Sequence, residues 1–354
     1  MQKPVLLLIG NHFLSANLNK NIWHFMAERL AGRGWEVITT SDKRFPPLRL
    51  LDMVWTVIQE RRRYDLAQID VFSEKAFIWS EVCTFFLKRL GKPILLTLHG
   101  GKLPEFAAEH PQRVRRVMQS ADVIVTPSPY HQVAFEKYRP DIRLILNPIN
   151  LEKSIYRHRL QAQPRLVWVR AFHEVYNPCL APRVLHLLAP DFQEIELLMI
   201  GPDKGDGSLE RMLNLAEQLG LRDRIRIAGG IPHEQVPIYL DKGDVFINTT
   251  NYDTAPRSVL EAMANGLCVV TTNVGGMPWL VEEEVDGLLV PPDDPGAMAA
   301  AVSRVLTDPG LSARLSANAR HKAEAYDWSA ILPQWERLFL EVSNPSKFTP
   351  NNSA

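Results

Sequence analysis

Cysteine is scarce in this chain: Cys83, Cys179 and Cys268 are the only three in 354 residues, far apart and in apolar or mixed surroundings. With no C-x-x-C pair and no clustered histidine beside them, they suggest neither a disulfide framework nor a zinc site. An excess of one charge is also lacking. Lys plus Arg equals Asp plus Glu at 40 each, so nothing in the overall balance points to nucleic acid as a partner. No apolar run approaches the ~20 residues of a membrane span. Val5–Ile9 passes directly into Gly10-Asn11-His12, unlike the apolar core of a signal peptide, and reads as a first buried strand. The expectation is a cytoplasmic protein, with peripheral contact to the inner face of the plasma membrane left open.

Several signatures are missing as well. There is no G-x-x-x-x-G-K-[ST] for a P-loop, and Gly205-Asp206-Gly207 starts a dinucleotide fingerprint that fails at Glu210. His99-Gly100-Gly101 resembles the oxyanion segment of lipases, yet no G-x-S-x-G elbow accompanies it. No Asp-x-Asp occurs, so the commonest metal-diphosphate clamp is absent and neither a metal nor a bound cofactor is called for.

The chain does have the ordinary balance of a globular protein, 46% hydrophobic and 23% charged. At about 100–200 residues per domain its length fits two domains. Residues 1–150 carry 21 Lys+Arg against 14 Asp+Glu, leaving 19 against 26 for the remainder. The basic front half is either a scatter of solvated charges or a surface for an anionic partner such as a membrane.

Short apolar runs recur between turn residues at Val5–Ile9, Glu36–Thr40, Leu66–Phe72, Ile94–Leu98, Val123–Thr126 and Leu144–Leu146. After a break come Leu166–Val169, Glu196–Ile200, Ile225–Ala228, Val245–Asn248, Cys268–Thr271 and Leu288–Val290. Helical stretches separate them, which is the βαβ rhythm of parallel sheets. The expected fold is α/β, two tandem Rossmann-like domains facing across a cleft. The boundaries are 1–150 for the first domain, 151–164 for a linker and 165–328 for the second. A helix over 329–344 is expected to pack back toward the first domain, and 345–354 to form a flexible tail.

The richest segment is Phe246–Val281. A strand ends near Asn248, a polar loop carries Asp253 and Thr254, and a helix begins around Pro256 with Glu261 one to two turns in. A helix start offers unpaired amides and a positive dipole end to a diphosphate, while two carboxylates can accept hydrogen bonds from sugar hydroxyls.

This run resembles the E-x7-E segment of family 4 (group 1) retaining glycosyltransferases of the GT-B fold. The resemblance extends to the HGG at 99–101, SADVIVTPS at 120–128, GPD at 201–203, VGG at 274–276, DGLLVPP at 286–292 and DWS at 327–329. It implies transfer of a sugar from a nucleotide-diphosphate donor to a glycan or lipid-linked glycan, in polysaccharide or glycoconjugate synthesis, with no metal. It places Glu261 on the ribose, Asp253 (where the family usually has Glu) on the donor sugar, and Arg170 on the diphosphate. The family's accompanying Lys is missing, with Tyr176 and Asn177 near its place; Tyr176 or Lys204 is the candidate substitute. By the same resemblance His99 serves the transferred sugar, with Gly100, Gly101, Gly10 and Asn11 lining that side. Thr254, Ala255, Pro256, Gly275, Gly276 and the backbone at Ile231 complete the expected donor contacts.

Two rival readings stay open: a sugar-nucleotide epimerase or hydrolase on the same domains, or a degenerate, non-catalytic nucleotide-sugar-binding protein. Trp279 reads equally as a wall of the site or as packing. The stretch Arg44–Arg63, with Phe45, Leu48, Leu51 and Trp55, is either a membrane-facing amphipathic helix or, as favoured here, an ordinary domain helix.

Overall fold

The computed structural model describes residues 3–11 and 22–344. Two units emerge, Met1–Asn147 with Ser329–Ala354, and Pro148–Trp328. The expected tail at 345–354 lies outside the described residues.

In the first unit, β1 (Leu6–Ile9), β2 (Val37–Thr40), β3 (Leu66–Val71), β4 (Ile94–Leu98), β5 (Val123–Thr126) and β6 (Arg143–Leu144) form one parallel sheet. Their order is β2-β1-β3-β4-β5-β6. Every residue of β1, β3 and β4 is buried, as a sheet covered on both faces requires, and this is why each reads as an apolar run. β6 departs from the expected Leu144–Leu146: the strand is Arg143–Leu144, both exposed at the sheet edge, Ile145 N adds one bond to Thr126 O at 3.1 Å, and Pro148 follows with no N–H to offer.

The helix Trp328–Ser343 completes this unit from residue 329 onward. Its Ile331, Leu332, Trp335, Leu338 and Phe339 are buried, Trp335 edge-on to Trp23 at 5.4 Å. Glu336 accepts hydrogen bonds from Trp35 Nε1 at 2.7 Å, Arg33 Nη1 at 2.6 Å and Lys3 Nζ at 3.3 Å. Arg113 grips Glu81 at 2.9 and 2.6 Å.

The second unit holds β7 (Arg165–Val169), β8 (Glu196–Ile200), β9 (Ile225–Gly229), β10 (Val245–Asn248), β11 (Cys268–Thr272) and β12 (Leu288–Val290), all parallel, in the order β12-β11-β10-β7-β8-β9. The chain starts in the middle, runs out to β9, returns to β10 and runs out the other way. β7 and β10 are therefore neighbours whose connections leave in opposite directions. An open parallel sheet takes its ligand at the carboxyl ends of such a pair. In the first unit the equivalent pair is β1 and β3.

The expected linker at 151–164 is corrected by the structure. Pro148–Pro164 is a strap bound to the second unit. Ile149 bridges Asp327, Ile155 N donates to Asn265 Oδ1 at 2.8 Å, and Arg157 and Arg159 reach Asp244. Its mixed charge, which reads as solvated connection, is ionic anchoring. Among the described residues no helix is long and apolar enough to cross a membrane.

Candidate functional site

At the carboxyl end of β7, Arg170 follows directly, and at that of β10 Asn248 leads into the loop of Asp253. The two loops meet. Arg170 Nε donates to Asn248 Oδ1 at 3.3 Å, and its Nη2 lies 2.9 Å from Asp253 Oδ2, both side chains being largely buried. Asn248 is held in turn by donating to Thr271 Oγ1 at 2.9 Å. The Tyr176 ring lies 5.1 Å from the guanidinium carbon, a cation-π support. Burial pushes the Tyr176 phenol up against the opposing pull of Arg170, so it keeps its proton at neutral pH.

Asp253 does more than the family role implies. Its Oδ1 accepts the amides of Thr254 at 2.7 Å and Ala255 at 3.3 Å, so these two N–H groups, expected to face a diphosphate, are taken by the loop's own carboxylate. The glycine pair is explained by the same loop. A Cβ on Gly275 would stand 2.0 Å from the Asp253 carbonyl oxygen, and one on Gly276 1.8 Å from that of Thr254. Gly276 N donates to Asp253 O at 2.8 Å. These glycines serve a close approach of chain to chain where a close approach to ligand was expected.

The helix runs Arg257–Ala264, with Pro256 at the capping position ahead of it. Pro256 was expected as the first helical residue; its ψ of 115° is extended. No side chain caps this start, and Ser258 Oγ in the first turn is buried without a partner among the described residues. One turn on, Glu261 Oε1 lies 3.0 Å from Arg257 Nε and 2.7 Å from His233 Nε2. Burial works to raise the Glu261 pKa, but Arg257, the His233 bond and Arg170 outweigh it and hold the carboxyl below its usual value. It is an anion at neutral pH.

His233, Arg257 and Ser258 were missed from sequence. Arg257 carried a signal, since i and i+4 share a helix face; His233 is 28 residues from Glu261. Ile231, expected to offer backbone to a base, has its side chain in the core with Val167, Phe246 and Val259. Lys204 is exposed on its loop, and among the described residues its side chain pairs with neither Arg170 nor Asp253. Trp279 is 45% exposed.

The remaining expected residues belong to the first unit. Gly10 ends β1, where a Cβ would come within 2.5 Å of Asp70 Oδ2 on β3. Asn11 Oδ1 accepts from Arg49 Nη1 at 3.0 Å. His99 follows β4, stacked on Phe72, its Nε2 3.4 Å from Asp70 Oδ1. Gly100 and Gly101 make the turn into the helix Leu103–Glu109. Behind His99 lies His131, whose pKa burial pulls down to about 4, with His99 adding to the effect.

Two guanidiniums, two carboxylates and a helix start thus stand together in the second unit. Residues 154–322 match the family of glycosyl transferases group 1. The likeness to the group 1 glycosyl transferases lies in this segment, just under half of the chain. It is 26% identical over 319 residues to the D-inositol 3-phosphate glycosyltransferase of Streptosporangium roseum, covering 82% of this chain and 73% of that protein. The protein of the same name from Streptomyces bingchenggensis is 29% identical over 221 residues, which is 57% of this chain and 48% of the relative, so that this match spans about half the relative's length. Sucrose-phosphate synthase from Thermosynechococcus elongatus superposes with a TM-score of 0.80 at 22% identity, over 97% of this chain and 100% of that one. Anabaena HepE, solved with UDP and glucose, gives 0.76 at 17% over 96% and 100%. The likeness shows the fold, which is GT-B.

Proposed function

We propose that this chain is a group 1 glycosyl transferase that moves a hexose-type sugar from a nucleotide-diphosphate donor to a hydroxyl of a glycan or lipid-linked glycan. Configuration is retained, no metal takes part, and the product is cell-surface polysaccharide or glycoconjugate. One observation carries the reading: Arg170, Arg257, Asp253 and Glu261 converge beside an uncapped helix start at the carboxyl ends of β7 and β10. The three free cysteines, two of them buried, fit the reducing cytoplasm.

The chemistry follows from the charges. The bond from the sugar C1 to the diphosphate oxygen breaks, the acceptor oxygen bonds C1 on the same face, and the acceptor proton passes to the departing phosphate oxygen. Negative charge grows on the diphosphate, and fixed positive groups placed there lower the barrier. Arg170 and Arg257, with the first-turn amides and Ser258, are those groups. Arg257 thereby takes the place sought for Lys204, and Tyr176 serves by supporting Arg170. The absent family Lys therefore gives no motive for the non-catalytic reading.

Glu261 Oε1 is occupied by His233 and Arg257, which leaves Oε2 for the ribose hydroxyls. Asp253 Oδ2 keeps a lone pair for the donor sugar. The reading assigns His99, beside Asp70, to the hydroxyls of the transferred sugar. His233 then acts as a positioning residue: His233→Ala is expected to raise the donor KM about tenfold with kcat unchanged. An equal fall in kcat would contradict that role.

A thermal-shift screen over UDP-, GDP- and ADP-sugars tests the function. UDP-glucose comes first, because HepE was solved with it. A true donor at a hundred times its Kd stabilises the fold by about 2.7 kcal/mol, and Glu261→Ala should remove most of the shift. Silence from every nucleotide-sugar would end the reading. Donor turnover without acceptor would move it to the epimerase or hydrolase.

A further inference from the structure

The helix Pro46–Gln59 of the first unit carries an apolar face outward as well as inward. Leu48, Leu51, Trp55 and Ile58 lie three and four residues apart on one face and are 54%, 65%, 67% and 38% exposed; Phe45, just ahead, is 60% exposed. On the opposite face Arg49 is 6% exposed, beside buried Met53 and Val57. Its guanidinium donates to the carbonyls of Lys43 and Arg44, each at 2.8 Å, and lies 4.9 Å from the Trp79 ring centroid. Arg49 thus fixes the helix rotation and holds the apolar stripe outward. The adjoining helix Phe77–Arg89 adds exposed Ile78 and Phe85, with Arg89 over the Phe85 ring at 4.4 Å. An outward stripe of large apolar side chains on this scale marks an interaction surface.

The charges around the stripe indicate what covers it. Lys43 and Arg44 precede it and Arg61, Arg62 and Arg63 follow it; Lys43 pairs with Asp42 at 2.7 Å and Arg63 with Glu36 and Glu60 at 3.1 and 2.8 Å, while Arg61 and Arg62 stand outside these ion pairs. The acid inside the helix, Asp52, turns to accept from Thr40 Oγ1 at 3.2 Å. Cations therefore bracket an apolar face at both ends, the pattern of a helix lying in a headgroup layer with its basic ends at lipid phosphates. A second copy of the chain fits poorly: pairing this face with itself, parallel or antiparallel, sets cations against cations.

We propose that this face docks on an anionic phospholipid bilayer, the stripe entering the headgroup boundary and the terminal arginines meeting phosphates. The proposal takes the membrane-facing alternative over the ordinary domain helix favoured from sequence. The inference does not depend on the reaction proposed above.

Co-sedimentation of the full chain with vesicles is the test, using phosphatidylcholine alone and phosphatidylcholine mixed equally with phosphatidylglycerol. Binding to the anionic vesicles is expected to be at least about tenfold tighter. The pair Leu51→Glu with Trp55→Glu, and the pair Arg61→Gln with Arg62→Gln, should each weaken it at least about tenfold. All four positions are exposed, so melting temperature and the donor-induced shift should be unchanged. The proposal fails if the wild type stays in solution with anionic vesicles, or if the Leu51/Trp55 variant binds undiminished. It also fails if sedimentation velocity shows a dimer that this variant dissolves, which would make the face a self-interface.

Discussion

Replacing Arg170 with alanine should lower kcat for sugar transfer about a thousandfold, with a smaller rise in the donor KM. Removing a single preorganised donor from a site of developing negative charge typically costs 10²–10³ in rate. Arg170 sits at the upper end because its place is set on three sides, by Asn248, Asp253 and the Tyr176 ring. A side chain so held needs no reorganisation as charge moves onto the diphosphate. Removal also deprives Asp253 of its cation partner, which accounts for the expected loss in donor binding. Arg170→Lys should recover only part of the rate, since one ammonium cannot span Asn248 and Asp253 as the guanidinium fork does. Initial rates over a range of donor concentrations decide the matter. If Arg170→Ala moved only KM, the residue would be a loop fastener and the diphosphate would find its charge elsewhere.

The strands were legible because a parallel sheet buried on both faces imposes the same demand on each of them: a short apolar run ended by turn residues. The one that strayed, β6, is an exposed edge pair, where that demand lapses. Arg170, Asp253 and Glu261 were named through the family resemblance, and the structure brings them together at strand and helix ends. His233 was not named, since it follows the edge strand β9, 28 residues before Glu261, and only the folded chain brings the two side chains together. The direction in which Pro46–Gln59 faces was equally hidden. Its pattern shows two faces, but which of them goes inward is decided by carbonyl acceptors at Lys43 and Arg44 and by Asn11. The strap was misread for a related reason, because its charges look like those of a linker until their partner is found 85 and 87 positions downstream, at Asp244.

At that partner, Asp244→Ala is expected to destabilise the second unit by about 3–5 kcal/mol, the usual result of leaving a buried charge without its counter-ion. Asp244 Oδ1 lies 2.7 Å from Arg157 Nη2 and 3.3 Å from Arg159 Nε, while Oδ2 accepts from Arg165 Nη2 and Gln163 N, each at 2.9 Å. Arg159 and Asp244 side chains are both fully buried. Arg159 also donates to the carbonyls of Arg157, Gly243 and Asn265, so it cannot swing out to water without undoing the strap. Burial lowers its pKa to about 10, which still leaves it charged at neutral pH. Burial acts to raise the Asp244 pKa, yet the Arg165 and Gln163 bonds and the neighbouring arginines more than compensate and hold it below 3.8. A carboxyl depressed by folding stabilises the fold above its unfolded pKa and loses that contribution as pH falls through the folded value. Urea unfolding should therefore show wild type and Asp244→Ala well separated at neutral pH, the gap closing only as pH drops below 3.8. A gap that stayed constant into strong acid would mean that the carboxylate's charge is not what secures the strap, and that packing around Arg159 is.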